Sequence, residues 1–256
     1  MKMPVIFSGH GDPMLALRDD EVTRTLHSVG KTITDKYGKP KAILMISAHW
    51  YTHGTLIQSA ENPKQIYDMY GFPHALYEVQ YPAKGCAALT ESVQRLLGKA
   101  VRVNDSWGID HGAWTVLVHM FPQADIPVVQ LSVNGDISAE QAYAIGKDLS
   151  ALREEGYLIM GSGNVVHNLR MVEWDNPDGS EKTVRFNQIV TDAVIRHQDR
   201  TVIHFENIPF SSYAVPTPDH YLPLIYCLGA SAGSDVQVFN NVCNLGSIAM
   251  TSYIWE

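Results

Sequence analysis

The chain has 256 residues, enough for one large α/β domain or two small ones. Its apolar content of 45% and charged content of 18% fit a packed globule and exclude a disordered chain. A formal net charge of −8 argues against a general nucleic-acid or anionic-membrane binder and leaves a small-molecule substrate open.

In chain order, residues 3–8 read as a buried strand that stops at Gly9-His10-Gly11-Asp12-Pro13, a tight loop whose glycines let backbone approach a ligand. A helix is expected from about Asp19 to Tyr37, ended by Gly38 and Pro40. Residues 42–48 form the second strand, which delivers His49 at its carboxyl end. Residues 55–59 read as an edge strand. The stretch 61–83 lacks periodicity but is rich in aromatics and reads as a folded flap over a site. A helix over 85–97, a short strand at Val101–Val103, a helix over 113–120, a strand over 126–133 and a helix over 138–154 follow. Ser138 and Gln141 form a capping box for the last of these. The strand 157–162 runs into Gly163-Asn164 and then His167. A helix over 181–197 and a loop over 205–218 precede Thr217-Pro218, an N-cap and N1 pair. That pair opens a helix over 219–230 with His220 in its first turn. Residues 236–239 and 247–251 read as closing strands. Alternating strands and helices without a linker imply one α/β domain over 1–256, built in three layers, with a central mostly parallel or mixed sheet flanked by helices.

Of the eleven histidines, His10, His49, His167 and His220 stand at strand ends or a helix start. Ligands of open α/β sheets bind at the carboxyl ends of the strands. These four are therefore the candidates for one metal centre, and imidazole suits zinc, iron, copper and nickel alike. In Asp110-His111-Gly112 the carboxylate has the chemistry to set a histidine tautomer, or the segment is an ordinary turn. His53 and His74 lie on loops, His119 reads as packed, and His27, His197 and His204 are assigned nothing. Gly161-Ser162-Gly163 is not the GxSxG nucleophile elbow, and no phosphate-binding glycine loop follows a strand. Three cysteines, widely spaced and odd in number, point to a reducing compartment, and no apolar run is long enough to span a membrane. No secretory leader is apparent, so the cytoplasm is the expected location.

Five ordered motifs carry a family resemblance: Ser8-Gly9-His10-Gly11-Asp12-Pro13, Ser47-Ala48-His49-Trp50, Asp110-His111-Gly112, Gly163-Asn164-Val165-Val166-His167-Asn168 and Pro216-Thr217-Pro218-Asp219-His220-Tyr221. Together they resemble the class III extradiol ring-cleavage dioxygenases of the LigB superfamily, and within it the 4,5-DOPA dioxygenase extradiol group. The resemblance implies that a metal-dependent enzyme inserts both atoms of O2 next to the diol of a catechol-type, DOPA-like substrate. It implies His10, His49 and His220 as metal ligands, His167 as acid/base or as a further ligand, and His111 as a catalytic histidine near substrate and dioxygen. Fe(II) is the expected cofactor and Zn(II) a possible occupant. Asp12 stands where relatives often carry serine. The facial triad of many non-haem iron oxygenases includes a carboxylate, and Asp12 and Asp219 are the candidates for it. Tyr67, Tyr70, Phe72 and Tyr77 either line the aromatic ring's pocket or pack the flap. The rival readings are a zinc-dependent hydrolase and a catalytically silent member that binds an aromatic ligand or a metal.

Overall fold

The computed structural model describes residues 2–256. Its strands are β1 (Val5–Gly9), β2 (Ile43–Thr52), β3 (Thr55–Ile57), β4 (Val101–Val103), β5 (Val128–Asn134), β6 (Leu158–Gly163), β7 (Val236–Phe239), β8 (Cys243–Asn244), β9 (Ile248–Ala249) and β10 (Ser252–Trp255). Its helices are α1 (Glu21–Tyr37), α2 (His74–Tyr77), α3 (Ala87–Leu97), α4 (His111–Met120), α5 (Ala139–Leu149), α6 (Glu181–Ile195), α7 (Asp199–Ile203), α8 (Ser211–Ala214) and α9 (Leu222–Ser231). Eight strands form one sheet in the order β4-β3-β5-β2-β6-β1-β10-β7. Its centre, β5-β2-β6-β1, is parallel, and β10 and β7 close one side antiparallel. The sheet is therefore mixed, with a parallel middle, as the alternation of strands and helices implies.

Strand β2 shows why the chain makes three layers. Successive side chains of a strand point to opposite faces. Leu44 and Ile46 pack with α3, α5, α6 and α9, through Leu89, Ala142, Phe186 and Leu224. Ile43 and Met45 pack the other way, with α1 and α4, through Leu26, Ile33, Trp114 and Leu117. All four β2 residues are fully buried. Burial of each such side chain contributes about 1.5–3 kcal/mol, so the alternation fixes the register.

The boundaries depart from expectation in several places: β2 runs through His49 to Thr52 instead of ending at residue 48, and the loop expected over 205–218 contains α8. β3 is not an edge strand, because β4 pairs in parallel outside it. The closing strand lies at Ser252–Trp255 instead of 247–251; Ile248–Ala249 instead pairs with Cys243–Asn244 in a small separate ribbon. The helix expected over 219–230 is two pieces, a 3-10 turn Pro218–His220 and then α9. Pro223, in the first turn of α9, has no N–H to continue a helix from before it. The stretch 61–83 is irregular apart from α2. It is anchored by Ile66 N–H to Ile109 O at 2.8 Å and Ile109 N–H to Lys64 O at 2.7 Å. Among the described residues, no helix is long and apolar enough to cross a membrane.

Candidate metal centre

The parallel strands β1, β2 and β6 end side by side, and each end is shaped to carry or admit a histidine. His10 follows β1 directly, and its N–H bonds Gly163 O at the end of β6 at 3.1 Å. In β2 the pairing to β5 steps from Ser47↔Ser132 to Tyr51↔Val133, so Ala48, His49 and Trp50 have no partners in β5. A bulge of this kind re-aims a side chain at a sheet edge, and here it turns His49 inward. His220 sits on the turn that packs over β6, with its carbonyl bonded by Asn164 N–H at 2.9 Å. A Cβ built at Gly163 lies 2.2 Å from that carbonyl oxygen, so only glycine lets the turn sit so close.

The three rings form a nearly equilateral triangle. Ring centroids are 5.0 Å apart for His10–His49, 5.2 Å for His10–His220 and 5.1 Å for His49–His220. One ligand nitrogen from each ring lies within 4.8 Å of the other two. Second contacts fix which nitrogen points inward. The Ser162 hydroxyl donates to Gly112 O, so toward His10 Nδ1 at 2.9 Å it accepts, and His10 carries its proton on Nδ1. His220 Nδ1 bonds the Asp219 carboxylate, which places its proton there as well. His49 Nδ1 lies 3.2 Å from Asp68 Oδ2. All three rings therefore turn an Nε2 lone pair to the centre.

The fit to a metal can be judged on these contacts. His220 Nε2 is buried with no hydrogen-bond partner, a costly arrangement unless something else takes the lone pair. His49 Nε2 faces His10 Nε2 at 3.2 Å. Two nitrogens each about 2.1 Å from one ion are separated by about 3.0–3.4 Å at ordinary coordination angles. The donor set therefore fits a divalent ion that takes imidazole. Burial, together with the neighbouring histidines, holds the pKa values of His10 and His220 well below 6.5, so both rings are neutral and ready to ligate at pH 7. His49 goes the other way. Burial disfavours its charge, but Asp68 at its Nδ1 and the Asp110 and Asp219 carboxylates outweigh burial and raise it.

His167 is near but differently engaged. Its ring lies face to face on His220, with centroids 3.5 Å apart and planes 6° apart, and it is outside the trio of mutually close ligand atoms. Burial, the largest influence, lowers its pKa to about 4. His111 begins α4, its ring 3.9 Å from that of His49 by centroids. Two sequence-based expectations fail. Neither proposed carboxylate serves as a ligand: Asp12 caps a 3-10 turn through Met14 N–H at 2.9 Å and pairs with Arg18, and Asp219 is spent on His220 Nδ1. Asp110 does not orient His111. It caps α4, accepting from Ala113 N–H, Ser47 Oγ, Gln130 Nε2 and Trp107 Nε1 at 2.6–3.2 Å.

The residue missing from the sequence reading is Asp68. Its Oδ1 accepts from His111 N–H at 2.9 Å and lies 3.0 Å from His111 Nδ1, while its Oδ2 faces His49. The ring contact to His111 is close but poorly aligned, since Nδ1 has no hydrogen bond of good geometry. Burial opposes ionisation of Asp68, but the two histidines hold its carboxyl far below the usual range. No motif marks Asp68; only its place in the aromatic flap hinted at the site. In that flap Tyr67 packs on Trp114 at 5.6 Å and bonds Val79 O, while Tyr70 is 92% exposed. Tyr77 lies against Tyr67 with ring centroids 6.1 Å apart, so both pack the flap. Of the remaining histidines, His53 lies on an exposed loop beside Asp136, His74 opens the short helix α2 instead of lying on a loop and faces Glu78, and His119 is bonded to Leu15 O.

Known proteins resemble the chain over nearly its whole length. Residues 4–253 match the family model described as the catalytic LigB subunit of aromatic ring-opening dioxygenase. The chain is 39% identical over 258 residues to the 4,5-DOPA dioxygenase extradiol of Escherichia coli strain K12, covering 98% of this chain and 94% of that protein. It is 35% identical to the protein of the same name from Beta vulgaris, over 96% of this chain and 94% of the relative. A crystal structure of an uncharacterized Escherichia coli K12 protein superposes with a TM-score of 0.86 at 35% identity, covering both chains fully. The chain belongs to the LigB family of class III extradiol dioxygenases and is an enzyme of that class.

Proposed function

We propose that this enzyme opens the ring of a catechol-type, DOPA-like small molecule next to its diol, inserting both atoms of O2. His10, His49 and His220 hold the metal, with iron(II) the working ion and zinc(II) able to occupy the same imidazoles. The observation that carries this reading is the convergence of three Nε2 lone pairs in a buried triangle, one of them without any protein partner. The names of the curated relatives, 4,5-DOPA dioxygenase extradiol, support the choice of a diol substrate.

Held by His10, His49 and His220, the metal would supply Lewis acidity that makes the diol easier to deprotonate. The chain's own groups do the rest. His167 is neutral at pH 7, because burial lowers its pKa to about 4, so its lone pair is free to take the phenolic proton. Stacking on His220 keeps it beside the reacting atoms and out of the ligand set. The proton taken by His167 is the one returned as the ring opens, and His111, whose backbone N–H is held by Asp68 and whose ring lies beside that of His49, is the second histidine for stabilising oxygen or passing that proton on. Burial of His10 and His220 keeps bulk water from the centre. The three free cysteines fit work in a reducing cytoplasm, and residues 1–256 act as one catalytic unit.

The test is oxygen uptake by Fe(II)-loaded protein with L-DOPA and simple catechols. Stoichiometric O2 consumption with a yellow ring-opened product is expected. Catechol turnover without O2 uptake, or full activity in His49→Ala, contradicts the reading.

A further inference from the structure

The flap over residues 61–83 sends one charged side chain into the site. The Asp68 side chain is only 13% exposed, and each of its oxygens faces a different site histidine. Its position is set by the backbone bonds between residues 64–66 and Ile109, just before His111, and by Tyr67 packed on Trp114. The carboxylate meets His49 on its Nδ1 edge at 3.2 Å, whereas Nε2 of the same ring points at His10. Asp68 therefore reaches the metal position only through the imidazole.

On the reading that His10, His49 and His220 bind the ion, we infer that Asp68 is the positioning residue that fixes His49 for metal binding through Nε2 and ties it to His111. A carboxylate at Nδ1 keeps the proton on that nitrogen, locks the ring's rotation and makes the distal nitrogen a stronger ligand. The same carboxylate accepts from the backbone N–H of His111 at 2.9 Å, so the flap couples a metal ligand to the start of α4, which carries a histidine proposed to move protons. Asp110 does not do this work, because its oxygens are already taken by Ser47, Gln130, Trp107 and the α4 backbone.

Asp68→Asn tests this with little change of shape. An amide has one acceptor oxygen where the carboxylate has two. If that oxygen stays at the His111 side, an NH2 faces His49 Nδ1–H, donor against donor. If it flips, His111 N–H loses its acceptor. Co(II) titration followed by the visible ligand-field bands is the readout, with Asp136→Asn, which pairs with His53 on the surface, as control. Asp68→Asn is expected to weaken Co(II) about 10–100-fold and to alter the bands. Asp68→Glu, which keeps the charge, recovers part of the loss, and Asp136→Asn matches the parent chain. A purely structural Asp68 would let Asp68→Asn bind Co(II) as the parent does, and that result overturns the inference. Failure of the parent chain to bind Co(II) at all refutes the metal centre instead, so the two failures are distinct. A second measurement needs no variant: nitrogen-15 histidine spectra of the Zn(II)-loaded parent should show His49 protonated at Nδ1 and metallated at Nε2. The opposite assignment overturns the inference.

Discussion

Gly112→Ala probes how tightly the start of α4 is built against the metal centre. A Cβ at this position lies 2.7 Å from His49 Cδ2 and 2.7 Å from Ser47 Oγ. Ordinary carbon contacts are about 3.5–4.0 Å, so the His49 ring must yield by roughly 1 Å. The backbone at Gly112 is ordinary helix, and on propensity alone alanine would add about 1 kcal/mol of stability there. Overpacking of a fitted site costs about 1–3 kcal/mol, so the net loss is about 0–2 kcal/mol, a fall in Tm of a few degrees at most for a chain of this size. Function suffers more than stability. Metal–ligand distances tolerate only about 0.2 Å, so a ring moved by about 1 Å should lose at least tenfold in metal affinity, about 1.4 kcal/mol. Calorimetric titration with Co(II) or Zn(II), beside a thermal melt, separates the two effects. A variant that folds and binds metal as tightly as the parent would refute the placement of His49 against α4.

His167→Gln should keep metal affinity within about threefold while kcat falls about 10²–10⁴-fold, the range for a lost proton-transfer group; loss of the metal would instead make His167 a ligand. In EDTA-treated protein, acid should destabilise the fold through the site histidines. His10, His167 and His220 have folded pKa values lowered from 6.5, so their contribution is present above 6.5 and is lost as pH falls toward 4. For His167, lowered to about 4, the loss reaches ~3 kcal/mol below pH 4, while His49, with a raised value, offsets part of it. Urea midpoints from pH 7 to 4 measure this, and a flat profile would contradict it. Cys227, fully buried with its thiol pushed up by burial and bonded to Ile6 O, should resist a thiol reagent at pH 8 until the chain unfolds, whereas the partly exposed Cys86 should react in the native state.

Much of this site was legible because it rests on local rules. Apolar runs ending in small residues announce buried strands, and a histidine just past the run lies at the edge where ligands bind, as at His10, directly after β1, and His49, at the bulge within β2. The Thr217-Pro218 pair announced the turn that holds His220, although Pro223 split the helix beyond it. Asp68 was not legible. It reaches His49 and His111 across 19 and 43 positions, through a segment with no period to reveal a face. Adjacency misled in the opposite sense: Asp110 stands next to His111 in sequence, but a residue that caps a helix points its carboxylate at the backbone of the next turn. The edge and closing strands were displaced for a related reason. Short strands such as β3 and β10 are chosen by their partners, and pairing over distances of about 40 to 250 residues leaves no local mark.

The central claim is that His10, His49 and His220 share one ion. Anaerobic calorimetric titration of the chelator-stripped chain with Fe(II), set beside His220→Ala, tests it most directly. One ion per chain is expected in the parent and no comparable binding in the variant. Equal stoichiometry and affinity in the two, or no binding in either, would contradict it.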